Sequence, residues 1–359
     1  MPAPELPRRR ILTGTALAGA AALAGGFGAR PAVALPMVAA FPEGATLLVA
    51  GPATGRTAEW SRLLAPLLQK DLPLGTPLRQ NLVGGADGVT AANQFEARTT
   101  PDGATALLLP GRAAMLWLVG DPRAQFDVAH WVPGLTGMGS GVIASRVAIA
   151  AMPPGAVVRM AASGPAGPEL PGLLAVELLG LRLMPAFGIT TDADRRDALA
   201  QGVVDAVFLG GRDVPQRLPA LTALGAVPTL SMGMPDANGI WQRDAAFPEL
   251  PTLPEMWAHR GTGTAAALLP GWRAASAASQ LDVALVLPHL TPAALVALWR
   301  QACASATAAP ELQAAASSIA VRPQAAPAAN ASTEALAVDA AALLAVRRWL
   351  TTRFNWRPV

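Results

Sequence analysis

"VGGADGVTAANQFEARTTPDGATALLL", residues 83–109, contains the repeating unit of the fold. It turns through Gly84, Gly85 and Gly88, enters a stretch that reads as a helix to about Arg98, and re-emerges as a fully apolar strand over 104–111. Upstream, "ATLLVAG" (45–51) reads as a buried strand. Thr57 to Gln69 reads as a helix with Trp60, Leu63, Leu64, Leu67 and Leu68 on one face, and "LRQNLVG" (78–84) as a second strand. Strand alternating with helix, with strands apolar on both faces, predicts parallel βαβ units in a sheet covered on both sides.

The pattern continues along the chain. Strand-like runs at 157–163, 181–188, 203–211 and 223–232 alternate with helices over Pro171–Leu179 and Asp194–Gln201. "FPELPTLPEMW" (247–257) reads as a proline-spaced surface loop. "LDVALVLPHLT" (281–291) is a further strand, followed by a helix over Pro292–Thr307 with Thr291 as its N-cap. "RPQAAPAANAS" (322–332) reads as a low-complexity connector before a C-terminal amphipathic helix, about Thr333 to Thr352, whose aromatic end "RRWLTTRFNWRPV" is expected to pack on the body.

The first 34 residues read as an export signal. Arg8-Arg9-Arg10 precedes a short apolar run of small residues, and Ala32-Val33-Ala34 offers a cleavage site before Leu35. The basic cluster resembles the twin-arginine address. The apolar run falls short of the roughly 20 residues that span a bilayer. Removing this segment takes away four arginines and one glutamate, leaving 23 basic and 23 acidic side chains. A neutral mature chain of about 325 residues excludes an electrostatic nucleic-acid footprint and a polybasic membrane patch, and is long enough for two domains. The one cysteine, Cys303, lies in a helical pattern and is expected to be a buried, inert thiol.

Enzyme chemistry finds little to build on. His130, His259 and His289 are scattered, no zinc-ligand spacing occurs, and the one lysine, Lys70, follows no glycine loop. "GMGSG" (137–141) is not a nucleophile elbow, because Met138 and Val142 stand where its glycines belong, and "GTGTAA" (261–266) is only a weak dinucleotide echo. A serine hydrolase using Ser140 or Ser163 with His130 or His289 is the residual catalytic alternative. No metal or cofactor is expected.

What remains are strand-to-helix turns. "GPATGRTAEW" (51–60) and the glycine turn at 84–90 would aim unpaired helix N–H groups at one point beyond the strand ends. A carboxylate suits such a site, with Thr54 and Thr57 adding hydroxyls and Arg56 a charge. The same glycines would equally serve simple tight βα turns.

Several stretches, in order, resemble the solute receptors of tripartite tricarboxylate transporters, the Bug family. These are the glycine turn with Pro101-Asp102-Gly103-Ala104-Thr105 after it, the turn at 51–60, "QGVVDAVFLGG" (201–211) with Gly202, Val204, Asp205 and Phe208, "FPELPTLPEM" (247–256), and the helix-forming run after 281. The resemblance implies an α/β type II periplasmic binding fold, two domains with mostly parallel central sheets and a hinge. It divides the mature chain into a discontinuous domain, 35–138 with 233–359, and a second domain, 139–232.

It also implies a non-enzymatic, monomeric periplasmic receptor that holds a small organic acid and delivers it to a membrane permease of the tripartite tricarboxylate type. Carried over, the ligand-binding residues are Ala53, Thr54, Gly55, Arg56 and Thr57, then Gly84, Gly85, Ala86, Asp87, Gly88, Val89 and Thr90. The second domain contributes Ser163, Gly164, Gly210 and Arg212. This chain departs from the family pattern at Pro185-Ala186-Phe187-Gly188 and at "SGPAGPELPG" (163–172), so that half of the pocket is expected to be more apolar than usual. Glu59 is the nearest match to the acidic residue after the family's first turn. The departures also leave room for a receptor-like periplasmic partner or sensory protein that has lost its high-affinity ligand.

Overall fold

The computed structural model describes residues 41, 44–73, 77–260 and 263–357, so the export signal expected over 1–34 lies outside the described residues. The chain begins with β1 (Thr46–Ala50), α1 (Arg56–Asp71), β2 (Arg79–Val83), α2 (Val89–Arg98), β3 (Thr105–Leu109), α3 (Gly111–Val119) and β4 (Val132–Met138). It then builds β5 (Ser140–Ser145), β6 (Val157–Ala161), α4 (Leu170–Leu178), β7 (Arg182–Ala186), α5 (Asp192–Ala200), β8 (Ala206–Gly211), α6 (Val214–Thr222) and β9 (Val227–Ser231). The return passes through a short hairpin, β10 (Met234–Pro235) and β11 (Trp241–Gln242), then α7 (Leu253–Arg260), α8 (Leu269–Gln280) and β12 (Leu281–Leu287). It ends with α9 (Ala293–Ala308), α10 (Pro310–Ser318), β13 (Arg322–Ala325), α11 (Ala328–Glu334) and α12 (Ala340–Phe354).

Two sheets result, with strand orders β13-β4-β12-β3-β1-β2 and β7-β6-β8-β5-β9. Each has a parallel trio at one side, β2-β1-β3 in one and β7-β6-β8 in the other, continued by antiparallel strands on the other side. The chain passes from the first sheet to the second at Gly139, where a Cβ would lie 2.1 Å from the Gly211 carbonyl oxygen. Only glycine fits that crossing.

Side-chain alternation along the strands decides what each face covers. In β1, Leu47 and Val49 join the cluster beneath α1 and α9, while Leu48 and Ala50 face the opposite way. In β8, Val207 and Leu209 face the outer helices, while Ala206 and Phe208 face inward. The inward faces of both sheets belong to one continuous apolar cluster with α3, α4 and α8. Helix α8 makes this packing close. Ala274, Ala275, Ala277 and Ala278 are buried along it, Trp272 is fully buried, and it touches α3, α4 and α12.

Several expectations change. Leu63 of α1 is half-exposed rather than part of the buried face. "TLPEM" is not loop, because Thr252 and Glu255 exchange hydrogen bonds that start α7, and Phe247 and Leu250 ahead of it are buried. Thr291 does not cap α9; its hydroxyl donates to the Pro288 carbonyl at 2.8 Å, and Pro292 holds the N-cap position. The supposed connector at 322–332 contains the edge strand β13 and most of α11. The C-terminal helix packs on α3 and α8, where Arg347 donates to the Trp117 carbonyl at 2.8 Å. It also reaches the second sheet, with Arg353 on the Leu183 carbonyl at 3.0 Å and Phe354 edge-on to Phe187. Cys303 is fully buried, and burial pushes its thiol pKa up.

Candidate functional site

Because β1 and β2 are parallel neighbours, their following turns emerge at the same sheet end. The Gly51 N–H donates to the Val83 carbonyl at 2.6 Å, and a Cβ on Gly51 would lie 3.8 Å from Ala86 Cα. The two turns therefore lie side by side. Their helix ends differ. Helix α1 opens at Gly55 with no side-chain cap. Helix α2 opens at Gly88, whose φ of 82° is left-handed, and Asp87 Oδ1 accepts from the Val89 N–H at 3.2 Å. Arg123 holds the other Asp87 oxygen at 2.9 Å and grips Asp121 as well. A carboxylate of the chain itself thus occupies part of the N-terminus of α2.

A cavity of about 290 Å³ lies where the two sheets meet. Its walls come from the ends of β3 and β8, the starts of α1, α3 and α4, the junction of α8 with β12, and α5 and α6. Of the residues expected from the sequence, Arg56 and Gly210 line it. Ala53, Thr54, Gly55 and Thr57 lie on the adjoining turn and first turn of α1, and Gly84, Gly85, Ala86, Asp87, Gly88, Val89 and Thr90 on the neighbouring one, none of them in the cavity wall. Ser163, Gly164 and Arg212 are outside its lining, although Ser163 bonds Glu169, which is part of it. Arg112, Glu169, Arg195, Arg217 and Asp282 complete the charged wall, with Ser279 beside them, and were not expected. The rule that flagged the first two turns applies equally to the third, "LLLPGR", which places Arg112 in the first turn of α3.

Most of these charges are matched internally. Glu169 is 1 % exposed, accepts from the Ser163 N–H at 3.2 Å and hydroxyl at 2.7 Å, and pairs with Arg195 at 2.7 Å. Asp192 takes the other Arg195 nitrogen at 2.8 Å and two nitrogens of Arg217 at 2.7 and 2.6 Å. Hydrogen bonding from Arg217 outweighs desolvation and holds Asp192 below the usual carboxylate range. Arg212 binds Asp282 through two nitrogens at 2.9 and 2.6 Å and reaches Glu59 at 3.0 Å, while the Trp60 indole donates to Asp282 at 2.6 Å. Burial pulls Arg212 down in pKa, but Asp282 and Glu59 together more than reverse this.

Two cations of the wall are left. Among the described residues, no carboxylate lies within ion-pair distance of Arg56 or Arg112. Arg56 is exposed, whereas Arg112 is partly buried and donates to the Ala166 carbonyl at 2.9 Å. Burial pushes the Arg112 pKa down, against the fields of Asp87, Glu169 and Asp121. The cleft therefore carries surplus positive charge at its β3–α3 corner.

The hydrolase alternative is not supported by these contacts. Ser163 donates to Glu169, and Ser140 is buried in β5. His130 bonds Glu96 at 2.7 Å and stacks on His289, with ring centroids 5.2 Å apart. Among the described residues, neither serine makes a hydrogen bond with a histidine.

No protein-family model matches the sequence, and no curated protein matches it. Solved structures do. A TctC solute binding protein from Polaromonas, determined without ligand, superposes with a TM-score of 0.57 at 17% identity, covering 81% of this chain and 96% of that one. MatC from Rhodopseudomonas palustris with bound malate gives a TM-score of 0.43 at 18% identity, covering 82% and 96%. The periplasmic binding protein BugD gives 0.42 at 19% identity, covering 87% and 96%. From the first of these likenesses, the chain has the fold of the Polaromonas TctC solute binding protein.

Proposed function

We propose that this protein is an exported, monomeric receptor that captures a small carboxylate between its two sheets, without catalysis, for a tripartite tricarboxylate-type permease. In this reading residues 1–34 are a twin-arginine export signal cleaved near Ala34, residues 35–138 and 233–359 form one lobe, and residues 139–232 form the other. The observation that carries it is the surplus positive charge of the cleft, placed at the carboxyl ends of strands where open α/β sheets bind ligands. Arg56 lies nearest to the guest among the residues expected from the sequence, with Ala53, Thr54, Gly55 and Thr57 in the adjoining turn. A ligand that binds only the folded state raises the melting temperature by mass action. Thermal shift and calorimetry against mono-, di- and tricarboxylates near pH 7 test it, and the expected result is stabilisation by at least one acid. No stabilisation by any of them would remove the reading.

One observation favours a second reading. Asp87 fills part of the N-terminus of α2 with the chain's own charge, as a receptor that had given up its ligand would. The protein would then act as a periplasmic partner or sensory protein, and the same panel would leave its melting temperature unchanged.

A further inference from the structure

The cleft distributes its charge unevenly. On the second-sheet side, Arg195 and Arg217 are neutralised by Glu169 and Asp192. Among the described residues Arg56 has no carboxylate within ion-pair distance, but it is exposed, so solvent and salt weaken its pull on a guest. Arg112 lines the cavity, is partly withdrawn from water, and among the described residues has no carboxylate within ion-pair distance. One of its N–H groups is committed to the Ala166 carbonyl, which leaves most of a planar, permanently charged fork for a guest. The rest of the wall is mixed: Pro110, Met115, Pro168, Phe208 and Leu281 are apolar, and Ser279 stands with Glu169, Arg195, Arg217 and Asp282, whose charges are matched within the chain.

We infer that Arg112 sets the charge of the ligand, and that the cleft selects a monocarboxylate with an apolar body over a dicarboxylate of the same length; this rests on the carboxylate-receptor reading above. One guanidinium fork satisfies one carboxylate through two parallel charge-assisted hydrogen bonds. A second carboxylate on the same ligand would leave water for apolar side chains, for the carboxylates of Glu169 and Asp282, or for arginines whose charge is already matched, with only the exposed Arg56 to offset this. Burying an ionised group without a partner is strongly unfavourable. A methyl-terminated chain meets the same apolar side chains at a gain of about 25 cal/mol for each Å² of apolar surface buried.

Hexanoate and adipate share a six-carbon chain and differ in the second carboxylate, so calorimetry of the whole mature protein with the two acids tests the selection directly. The expected result is hexanoate binding about tenfold or more tightly than adipate. Arg112→Gln is expected to weaken hexanoate about tenfold or more and to abolish the preference for hexanoate over hexanamide, which has the same shape without the charge. Arg112→Lys, which keeps the charge but loses the fork, is expected to fall between the two. Adipate binding as tightly as hexanoate overturns the inference while leaving the receptor reading intact, and so does an unchanged hexanoate affinity in Arg112→Gln. The comparison of the two acids needs no variant, so it decides even if Arg112→Gln fails to fold. Failure of every carboxylate to bind the wild type would sink the receptor reading and this inference with it.

Discussion

A charge withdrawn from water persists only where another group replaces its hydration, and for Arg212 that group is Asp282. The arginine side chain is 12 % exposed and the aspartate 2 %, and the pair joins the end of β8 in one sheet to β12 in the other. From the sequence, an arginine following "FLGG" at a strand end suits a ligand. Its actual partner lies 70 positions away, and a lone aspartate in "LDVALVL" gives no local sign of which cation it will meet. Breaking such a pair from one side leaves an uncompensated buried charge. Arg212→Met is therefore expected to lower unfolding stability by about 3–5 kcal/mol in urea titration. Adding Asp282→Leu to that variant should restore much of the loss, because the stranded carboxylate is then gone. If the double variant were no more stable than the single one, the pair would not be the source of the loss.

At the scale of elements, the glycine turn before α2 shows how local chemistry and packing divide the work. A Cβ on Gly88 would sit 2.8 Å from Pro110 Cδ, and the residue's φ is left-handed, whereas a Cβ on Gly84 would meet nothing within 4 Å. Gly88→Val should thus cost about 2 kcal/mol or more in stability, from strain and crowding against the start of α3. Gly84→Val should leave the melting temperature nearly unchanged, and equal destabilisation by the two would show that packing is not the cause. The first three strands and their helices were legible because apolar runs and amphipathic spacing are local signals. Strands β4 and β5 were not, since "VPGLTGMGSGVIAS" (132–145) carries four glycines that break up its apolar runs. Those glycines exist for close approach: at Gly137 a Cβ would press on Val283, Trp60 and Val321, all supplied by distant segments. The cleft was half legible for the same reason. Arg56 and Gly210 follow recognisable strand ends, while Arg195 and Arg217 enter the wall only through the packing of α5 and α6 on the second sheet.

For the whole molecule, the decisive feature is the single apolar cluster shared by the inward faces of both sheets. Two bodies divided by a wet seam rotate readily, but bodies joined by a large apolar interface do not. Helix α12 adds to the restraint, bonding α3 through Arg347 and the second sheet through Arg353. Ligand-induced motion is therefore expected to be small, with X-ray scattering showing a change in radius of gyration below about 1 Å on saturation with a bound acid. A larger contraction would mean that the shared cluster parts when the ligand leaves. Such movement can also be followed between chosen points, and Cys303 makes this simple. It is the chain's one cysteine, fully buried and held protonated, so it will ignore maleimide dyes and spin labels. Thiols engineered at exposed sites on either side of the cleft would be the ones to take the label. The wild-type background is already silent for distance spectroscopy.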